Sequence, residues 1–278
     1  MRGGRFHRVS KDAPSQAGRQ TRRGTGPALS IVIPAYNEAA RLPATLQHAL
    51  DFLRTWPAGG EVIVVDDGST DGTASIVEDR KHGVPFARLI QNAHNRGKGY
   101  SVRRGVLEAR GELILFSDAD ESTPIVEASR LAAALQTSAA DVAVGSRYTT
   151  GAQIECPQPL SRRALGWLFR RVVRLFGVRR VSDTQCGFKM FRREAARKIF
   201  ALQRIDGFAF DVEVLMLARR LGYRVVEVPI KWRESPGSTV RPIRDGLRML
   251  ADLCRAWLGA KTACRRHKGR SGKEGYTK

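Results

Sequence analysis

Apolar residues fall into two alternating patterns from Leu29 onward. Short runs rich in Val and Ile predict strands, and longer segments with apolar residues three and four positions apart predict helices. We expect strands near residues 29–33, 61–66, 87–91, 112–117, 141–145 and 223–229. We expect helices near residues 39–55, 70–80, 98–109, 124–136, 160–176, 192–202, 208–221 and 241–258. This alternation is typical of βαβ units, so it predicts an α/β domain whose mostly parallel central sheet is flanked by helices.

Three of the predicted strands run straight into polar segments. Residues 31–33 lead into Pro-Ala-Tyr-Asn-Glu at 34–38, residues 62–65 into Asp-Asp-Gly-Ser at 66–69, and residues 113–116 towards Asp-Ala-Asp at 118–120. Ligands of open parallel sheets bind beyond the carboxyl ends of the strands. The three segments therefore predict one shared crevice.

Asp118 and Asp120 are the main candidates for chemistry in that crevice. Two carboxylates spaced two residues apart behind a buried strand supply the oxygen ligands that Mg²⁺ or Mn²⁺ prefers, with substrate phosphates completing the shell. A cation held there would offset the negative charge on a departing diphosphate. The alternative is that an aspartate only caps the helix expected from Pro124. The two neighbouring polar strand ends favour the metal site.

The other two strand ends predict a nucleotide site. Tyr36 offers an aromatic face and Glu38 an acceptor, beside Pro34, which fixes the chain as it leaves its strand. Asp66 and Asp67 follow the second strand, and Asp67 could accept a hydrogen bond from the edge of a base. Both segments could instead be ordinary helix starts, whose acidic residues cap N–H groups or complement the helix dipole.

Basic residues supply candidate phosphate contacts. Lys98 lies in Asn-Arg-Gly-Lys-Gly at 95–99, which opens a predicted helix and could help to hold a phosphate. Arg147 follows the strand expected to end near residue 145, and Arg162 begins the helix expected over 160–176. Because a guanidinium forks onto phosphate oxygens, these two arginines could form a second anion site away from the nucleotide. Solvated surface charge is the alternative for all three residues.

Two further carboxylates lie in polar insertions within apolar surroundings. Asp183 could orient an acceptor or lie near the metal, and Asp211 could position a sugar hydroxyl or a basic partner. Either could instead cap a helix. Together with Asp120 they are the candidate catalytic carboxylates. The five histidines are scattered along the chain, which argues against a His-based metal or acid–base site.

Positive charge is concentrated at the two ends of the chain. Of the net charge of +21, residues 1–26 and residues 261–278 carry +6 each. Both ends are rich in Gly, Ser, Arg and Lys and poor in large apolar residues, a composition that cannot offset the entropy of ordering. We therefore expect disordered basic tails at 1–27 and 259–278 around one folded domain at 28–258, which ends in an amphipathic helix.

The helices expected at 160–176 and 241–258 interleave arginines with large apolar residues. Such helices could lie in the interface of an anionic membrane, or they could cover the sheet while their arginines face water. No apolar run of about 18 residues predicts a transmembrane helix. Four scattered cysteines favour a reducing compartment. These features predict a cytoplasmic protein that is peripheral to the cytoplasmic face of a membrane.

The ordered motifs resemble those of the family 2 glycosyltransferases over about residues 29–258, most of all the members that transfer glucose to dolichyl phosphate. They are Pro-Ala-Tyr-Asn-Glu, Asp-Asp-Gly-Ser-Thr-Asp-Gly-Thr, Asn-Arg-Gly-Lys-Gly, Asp-Ala-Asp, Gly-Ser-Arg-Tyr, Asp-Thr-Gln-Cys-Gly-Phe-Lys and Phe-Asp-Val-Glu. The resemblance implies a GT-A fold and inverting transfer of a hexose from a nucleotide sugar such as UDP-glucose to a polyprenyl or dolichyl phosphate.

The resemblance also implies roles for individual residues. Pro34, Tyr36, Glu38 and Asp67 would hold the nucleotide, and Asp118 with Asp120 would hold the metal and the diphosphate. Arg147, Ser161 and Arg162 would face the phosphate of the lipid acceptor.

Two other functions are compatible with the sequence. The first is a family 2 transferase that uses GDP-mannose or an acceptor that is not a lipid. The second is a nucleic-acid-binding protein that uses the charge of +21. Single-strand binders interleave aromatic and basic residues along a groove, whereas the aromatic residues here follow helical core spacing. We therefore expect no specific nucleic-acid partner, and the sequence predicts no oligomeric state.

Overall fold

A computed structural model describes residues 28–57, 59–81, 86–156, 160–176, 178, 181–235, 246 and 248–255 of the 278. The tails expected at 1–27 and 259–278 lie outside these residues, as do residues 241–245, 247 and 256–258 of the helix expected at 241–258. Within the described part of the chain, no helix is both long and apolar enough to span a bilayer.

Seven strands form the central sheet, and two form a small sheet of their own. The central strands are β1 (Leu29–Ala35), β2 (Gly60–Asp66), β3 (Ala87–Gln91), β4 (Leu113–Ser117), β5 (Val142–Ser146), β7 (Phe188–Arg192) and β8 (Val225–Pro229). Their order is β3-β2-β1-β4-β7-β5-β8, and β7 runs antiparallel to both neighbours. β6 (Gln153–Cys156) and β9 (Lys231–Arg233) pair in parallel. The α/β class and the mostly parallel sheet are confirmed.

Hydrophobic patterning located the six predicted strands to within two residues at each end. β1 and β2 are rich in Val and Ile and are buried along their whole length, as expected of parallel strands covered on both faces. The sequence did not predict β7, β6 or β9. β7 has a lysine at its second position, and β6 is exposed throughout, so neither has the apolar pattern of a central strand.

Helices cover both faces of the sheet. They are α1 (Leu42–Thr55), α2 (Thr73–Lys81), α3 (Lys98–Glu108), α4 (Ala128–Thr137, preceded by a 3₁₀ turn at Ile125–Glu127), α5 (Leu160–Leu175), α6 (Arg193–Leu202) and α7 (Phe210–Arg220). Residues 248–255 are also helical. One core cluster joins the sheet to α1, α2 and α4, and the other joins it to α3, α5, α6, α7 and residues 249 and 253. Each predicted helix is found among the described residues, although α1, α2 and α4 begin three or four residues later than expected.

The chain changes direction within the sheet between β1 and β4. It moves outward from β1 through β2 to β3 and then returns to the other side of β1 for β4. The β1–β2 ladder continues to Ala35 and Asp66, whereas the β1–β4 ladder ends at Val32 and Phe116. Pro34, which has no N–H to donate, lies beyond the point where the β1–β4 ladder ends. The two strands part there, and a crevice at such a switch point is where ligands of open α/β sheets bind.

Candidate active site

The loops after β1 and β2 are joined by hydrogen bonds between side chains and backbone. Asn37 has a φ of 54°, a left-handed conformation that asparagine tolerates better than most residues. The donor–acceptor pairs are Asn37 N to Ser69 Oγ (2.9 Å), Thr70 N to Asn37 Oδ1 (2.9 Å), Glu38 N to Thr73 Oγ1 (2.9 Å) and Ala39 N to Asp71 Oδ2 (3.0 Å). This network fixes the segment that carries Tyr36, which is exposed, and Glu38, which is partly buried.

Asp67 is buried and holds the loop that begins α3. Its Oδ1 accepts hydrogen bonds from Arg96 N (2.9 Å) and Asn92 Nδ2 (2.7 Å), and its Oδ2 accepts one from Gly97 N (2.7 Å). Gly97 has a φ of 105°, which a residue with a side chain rarely adopts. The structure therefore gives Asp67 a loop-holding role, and its expected contact with a base stays a prediction.

Asp66 is also buried, and its Oδ1 accepts a hydrogen bond from Ser69 N (3.2 Å). This contact shapes the turn after β2. The expected contact of Asp66 with a nucleotide stays a prediction.

Asp118 and Asp120 lie just past the end of β4, on the β4 side of the crevice. Lys98 Nζ lies 2.6 Å from Asp118 Oδ1, and Asp120 Oδ1 accepts a hydrogen bond from Ser122 N (3.0 Å). Burial raises the pKa of Asp120 above its ordinary value, and the neighbouring charge of Asp118 adds to the effect. Two acids that repel each other in a partly buried site form a place where a divalent cation is stabilising.

Glu38 belongs to the same acidic group. Burial raises its pKa, Arg41 opposes that rise, and the charges of Asp120 and Asp118 add to it. Glu38 on the β1 side and the two aspartates on the β4 side therefore influence one another across the crevice. Pro34, Tyr36 and Glu38 lie at one wall of the crevice, and Asp118 and Asp120 lie at the other, as the strand ends predicted.

The sequence analysis missed Arg41, a basic residue that pairs with Glu38 on the β1 side. Its Nε lies 2.7 Å from Glu38 Oε2 and its Nη2 lies 2.5 Å from Glu38 Oε1, a two-point ion pair. Burial alone would lower the pKa of Arg41, but Glu38, Asp120 and Asp118 outweigh it and raise the pKa. The available signal was its position three residues after Glu38, where one helical turn brings the two side chains together.

Gly187 explains how the Asp118 side chain fits its place. A Cβ atom at residue 187 would overlap the Asp118 carboxylate. β7 is antiparallel, so its amino end rather than its carboxyl end reaches the crevice and brings Gly187 there. The absence of a side chain at this residue leaves room for the Asp118 carboxylate. Asp118 and Asp120 are both partly exposed and supply the oxygen ligands that a divalent cation prefers, so their residue types fit such an ion, and its binding there stays a prediction.

Lys98 links the acidic group to a second, deeper carboxylate. Burial would lower the pKa of Lys98, but Asp118 and Asp211 outweigh that effect and raise it, so the ammonium stays charged. Asp211, in the first turn of α7, is buried and pairs with Lys189 of β7. Burial raises the pKa of Asp211, and Lys189 and Lys98 oppose the rise. Lys189 also donates a hydrogen bond to the carbonyl oxygen of Cys186 (2.6 Å).

Arg147 and Asp183 form another buried pair on the far side of β7. Arg147 Nε lies 2.7 Å from Asp183 Oδ2, Arg147 Nη2 lies 2.8 Å from Oδ1, and Arg147 N donates to Oδ2 at 3.0 Å. Burial would raise the pKa of Asp183, but Arg147 outweighs it and lowers the pKa. The guanidinium carbon of Arg147 also lies 5.1 Å from the centre of the Trp232 ring. The charge of Arg147 is therefore balanced by the buried carboxylate of Asp183.

The loop beyond Asp120 is fixed by a third cluster that the sequence analysis missed. Glu121 has a φ of 53°, and its carboxylate pairs with His48 of α1 and, at 3.1 Å, with Nη2 of Arg233. Arg233 N also donates to the carbonyl oxygen of Ser122 (2.9 Å). These contacts tie the carboxylate-bearing loop to β9. Ser161 and Arg162, the remaining candidates, are in the first turn of α5, but their side chains lie outside the described residues.

Comparison with known proteins identifies relatives along most of the chain. Residues 30–200 match the family model described as glycosyl transferase family 2. The dolichyl-phosphate beta-glucosyltransferase of Drosophila melanogaster is 41% identical over 242 residues, which cover 83% of this chain and 74% of that protein. The protein of the same name from Homo sapiens is 37% identical and covers 81% of this chain and 73% of its own length.

Solved structures show the same fold. Glucosyl-3-phosphoglycerate synthase from Mycobacterium tuberculosis, solved with Mn²⁺, UDP and phosphoglyceric acid, superposes with a TM-score of 0.64 at 20% identity, covering 84% of this chain and 79% of that one. Mannosyl-3-phosphoglycerate synthase from Rubrobacter xylanophilus gives a TM-score of 0.63 at 20% identity, covering 88% and 75%. The expected GT-A fold is confirmed.

Proposed function

This chain belongs to glycosyl transferase family 2, and we propose that it transfers glucose from UDP-glucose to dolichyl phosphate or a related polyprenyl phosphate. The observation that carries the proposal is the position of Asp118 and Asp120, partly open to the crevice at the switch point between β1 and β4. The sugar and the acceptor follow the names of relatives that are 41% and 37% identical. The UDP bound in a solved protein of the same fold also supports a nucleotide sugar as the donor.

Asp118 and Asp120 are the residues that would hold Mg²⁺ or Mn²⁺, the ions found in proteins of this fold. The bound cation would neutralise charge on the two phosphates of the leaving nucleotide. Lys98 pairs with Asp118, and the charges of both aspartates raise the pKa of Arg41. We propose that these two side chains hold the donor diphosphate from the α3 side and the β1 side.

The acceptor needs no strong general base. The second pKa of a phosphate monoester is about 6, so one acceptor oxygen is already an anion at neutral pH. That oxygen attacks the anomeric carbon from the side opposite the diphosphate, the new C–O bond forms as the bond to the diphosphate breaks, and the configuration inverts. The enzyme's task is to align donor and acceptor and to stabilise the leaving group.

A mechanism without a strong general base agrees with the pairing of the two buried carboxylates, Asp183 and Asp211, with basic residues. Asp183 accepts three hydrogen bonds from Arg147, and Asp211 is paired with Lys189. We therefore assign both to positioning, in place of the catalytic contact expected for them: Asp183 orients Arg147 towards the acceptor side, and Asp211 fixes Lys98 and Lys189. Because the acceptor carries a lipid chain, we place the reaction at the cytoplasmic face of an anionic membrane, with the protein bound peripherally.

The decisive experiment offers the full chain UDP-glucose or GDP-mannose, each with Mg²⁺ and a polyprenyl phosphate. We expect a glucosylated lipid from UDP-glucose, little product from GDP-mannose and none after chelation of the metal. Asp120→Asn removes one ligand charge and should lower kcat at least about 1000-fold while the thermal midpoint stays unchanged or rises, because the ionised Asp120 is disfavoured by burial. Product from GDP-mannose alone, or glucose transfer only to a non-lipid acceptor, would refute the proposal.

A further inference from the structure

Helix α5 has two apolar faces, and the core covers only one of them. Phe169 and Val173 are buried against the sheet and belong to the core cluster on that side. Trp167, Leu168 and Leu175 point the other way and are 53%, 54% and 80% exposed. Core packing therefore accounts for the inner face of α5 but not for its outer face. Large apolar side chains gathered on an exposed surface indicate an interaction site.

The charge of α5 has a single sign. Residues 160–176 contain five arginines and no acidic residue. Arg171 and Arg174 are exposed beside the apolar residues, and the guanidinium carbon of Arg171 lies 4.8 Å from the centre of the Trp167 ring. Arginine next to tryptophan and leucine on one exposed helix face is the composition of helices that lie in the headgroup region of a bilayer.

We propose that the outer face of α5, formed by Trp167, Leu168, Arg171, Arg174 and Leu175, docks this protein on an anionic lipid bilayer. This inference rests on the proposed function in one respect, which is that a lipid acceptor gives the protein a reason to contact a membrane. A second copy of the chain is a poor occupant, because the same positive face would meet itself. Nucleic acid is a poor occupant as well, because the aliphatic side chains of Leu168 and Leu175 cannot stack on bases as aromatic rings do.

The docking face lies beside the acceptor side of the crevice. The guanidinium carbon of Arg170, in the middle of α5, lies 4.0 Å from the centre of the Tyr148 ring. Tyr148 directly follows Arg147, which is held by Asp183 after the end of β5. A bilayer against the outer face of α5 would therefore lie next to the predicted acceptor site, so that the phosphate of a lipid could reach Arg147 while its chain stays in the membrane.

Flotation with vesicles of phosphatidylcholine, with and without phosphatidylserine, tests the docking face directly and needs no turnover. We expect the full chain to bind the anionic vesicles. Arg171→Glu with Arg174→Glu, and separately the triple change of Trp167, Leu168 and Leu175 to Ser, should each weaken binding more than about tenfold. The matched controls carry the same number of changes away from α5, at Arg197 and Arg224 and at Phe86, Leu107 and Val126, all of which are exposed.

Two further readouts separate α5 from the basic ends of the chain. At about 0.5 M salt, charge attraction is screened to within a few ångströms, so residual binding should depend on the three apolar residues. Lipids brominated near the headgroup should quench Trp167, and Trp167→Phe should retain binding while losing most of that quenching. Thermal melts check that the surface changes leave the fold intact.

The outcomes are distinct from those that test the transferase proposal. Equal flotation of the triple variant and its control would overturn the docking proposal, and so would a triple variant that changes only self-association or only RNA binding. With a short, water-soluble polyprenyl phosphate, the triple variant should turn over at the wild-type rate, whereas with vesicle-embedded acceptor its rate should fall about tenfold or more. Failure of the wild type on both acceptors would refute the transferase proposal and leave the flotation result standing.

Discussion

The two sides of the crevice handle charge in opposite ways. On the side formed by β1, β2 and β4, Glu38, Asp118 and Asp120 stand close together and partly open, with more acid than neighbouring base can neutralise. On the side formed by β5 and β7, each acid is buried and matched to one base, Asp183 to Arg147 and Asp211 to Lys189. We propose that the first side takes up a cation together with the substrate, whereas on the second side the acids are already paired with bases.

This contrast makes the buried side the more sensitive one for stability. Lys189→Met leaves the buried carboxylate of Asp211 without its main partner, which should cost about 3–5 kcal/mol of unfolding free energy. Urea unfolding measures the loss. Lys189→Met combined with Asp211→Leu should recover much of it, because no unpaired charge remains.

The pH dependence of the Lys189→Met variant provides an independent check. Burial raises the pKa of Asp211 in the folded state, and loss of Lys189 raises it further. The pKa of an aspartate in the unfolded chain is about 4. A carboxyl group whose pKa is higher in the folded state than in the unfolded state destabilises the fold above pH 4 and has no such effect below it. The stability deficit should therefore shrink as the pH falls towards 4. A deficit that is constant with pH would show that lost packing, rather than unpaired charge, causes it.

On the open side, crowding the carboxylates should slow the reaction even though none of them is removed. In Gly187→Ala the new Cβ displaces the Asp118 carboxylate, and a shift of about 1 Å at a reacting site costs about 100-fold in rate. We expect kcat/KM for glucose transfer to fall by that factor. Gly246→Ala is the matched control, because a Cβ at that residue meets no atom within 4 Å. Equal rates for the two variants would contradict the role assigned to Gly187.

A smaller effect distinguishes two roles for Asp67. If Asp67 holds the loop that leads to Lys98, the amide of Asp67→Asn cannot accept both backbone N–H bonds from Arg96 and Gly97. The free energy of unfolding should then fall by about 1–3 kcal/mol even without nucleotide. If Asp67 only contacted a base, UDP binding would weaken while the stability of the free protein stayed constant. Urea unfolding and calorimetric titration with UDP measure the two quantities, and Asp79→Asn on the exposed face of α2 is the control.

The smallest effect concerns a thiol on the buried side. Burial raises the pKa of Cys186 to about 12, and the charge of Asp183 contributes, so at pH 8 almost none of it is thiolate. Cys156 and Cys254 are exposed. A disulfide reagent should therefore react quickly with the exposed thiols and with Cys186 only on unfolding. Cys186→Ala should leave the fast phase unchanged, and a smaller fast phase in that variant would contradict the burial.

The open side of the site could be predicted from the sequence because its residues follow strands that the sequence also predicts. Pro34, Glu38, Asp67 and Asp118 come within five residues of runs of Val, Ile or Phe, and the carboxyl ends of parallel strands meet at one edge. Local spacing was sufficient there. Arg41 was missed only because a basic residue at the start of a helix has an ordinary surface explanation.

The paired side could not be predicted in the same way. Arg147 and Asp183 are 36 residues apart, and Lys189 meets Asp211 only because β7 enters the sheet between β4 and β5. A lysine at the second residue of β7 contradicts the pattern of a buried strand, so the pattern hid both the strand and the ion pair. The partner of a buried charge is a property of the assembled fold.

The reversed direction of β7 has a consequence for how this protein tolerates length changes. Lys189 faces Asp211 on one side of the sheet, and Phe188 and Met190 face the opposite core cluster. One inserted residue ahead of the strand could be absorbed by a slip in register, but a slip of one place would exchange the two faces. The ammonium would enter an aliphatic layer, and Gly187 would no longer lie beside Asp118. Length variation between Asp183 and Phe188 should therefore be eliminated by selection through folding before catalysis is ever tested.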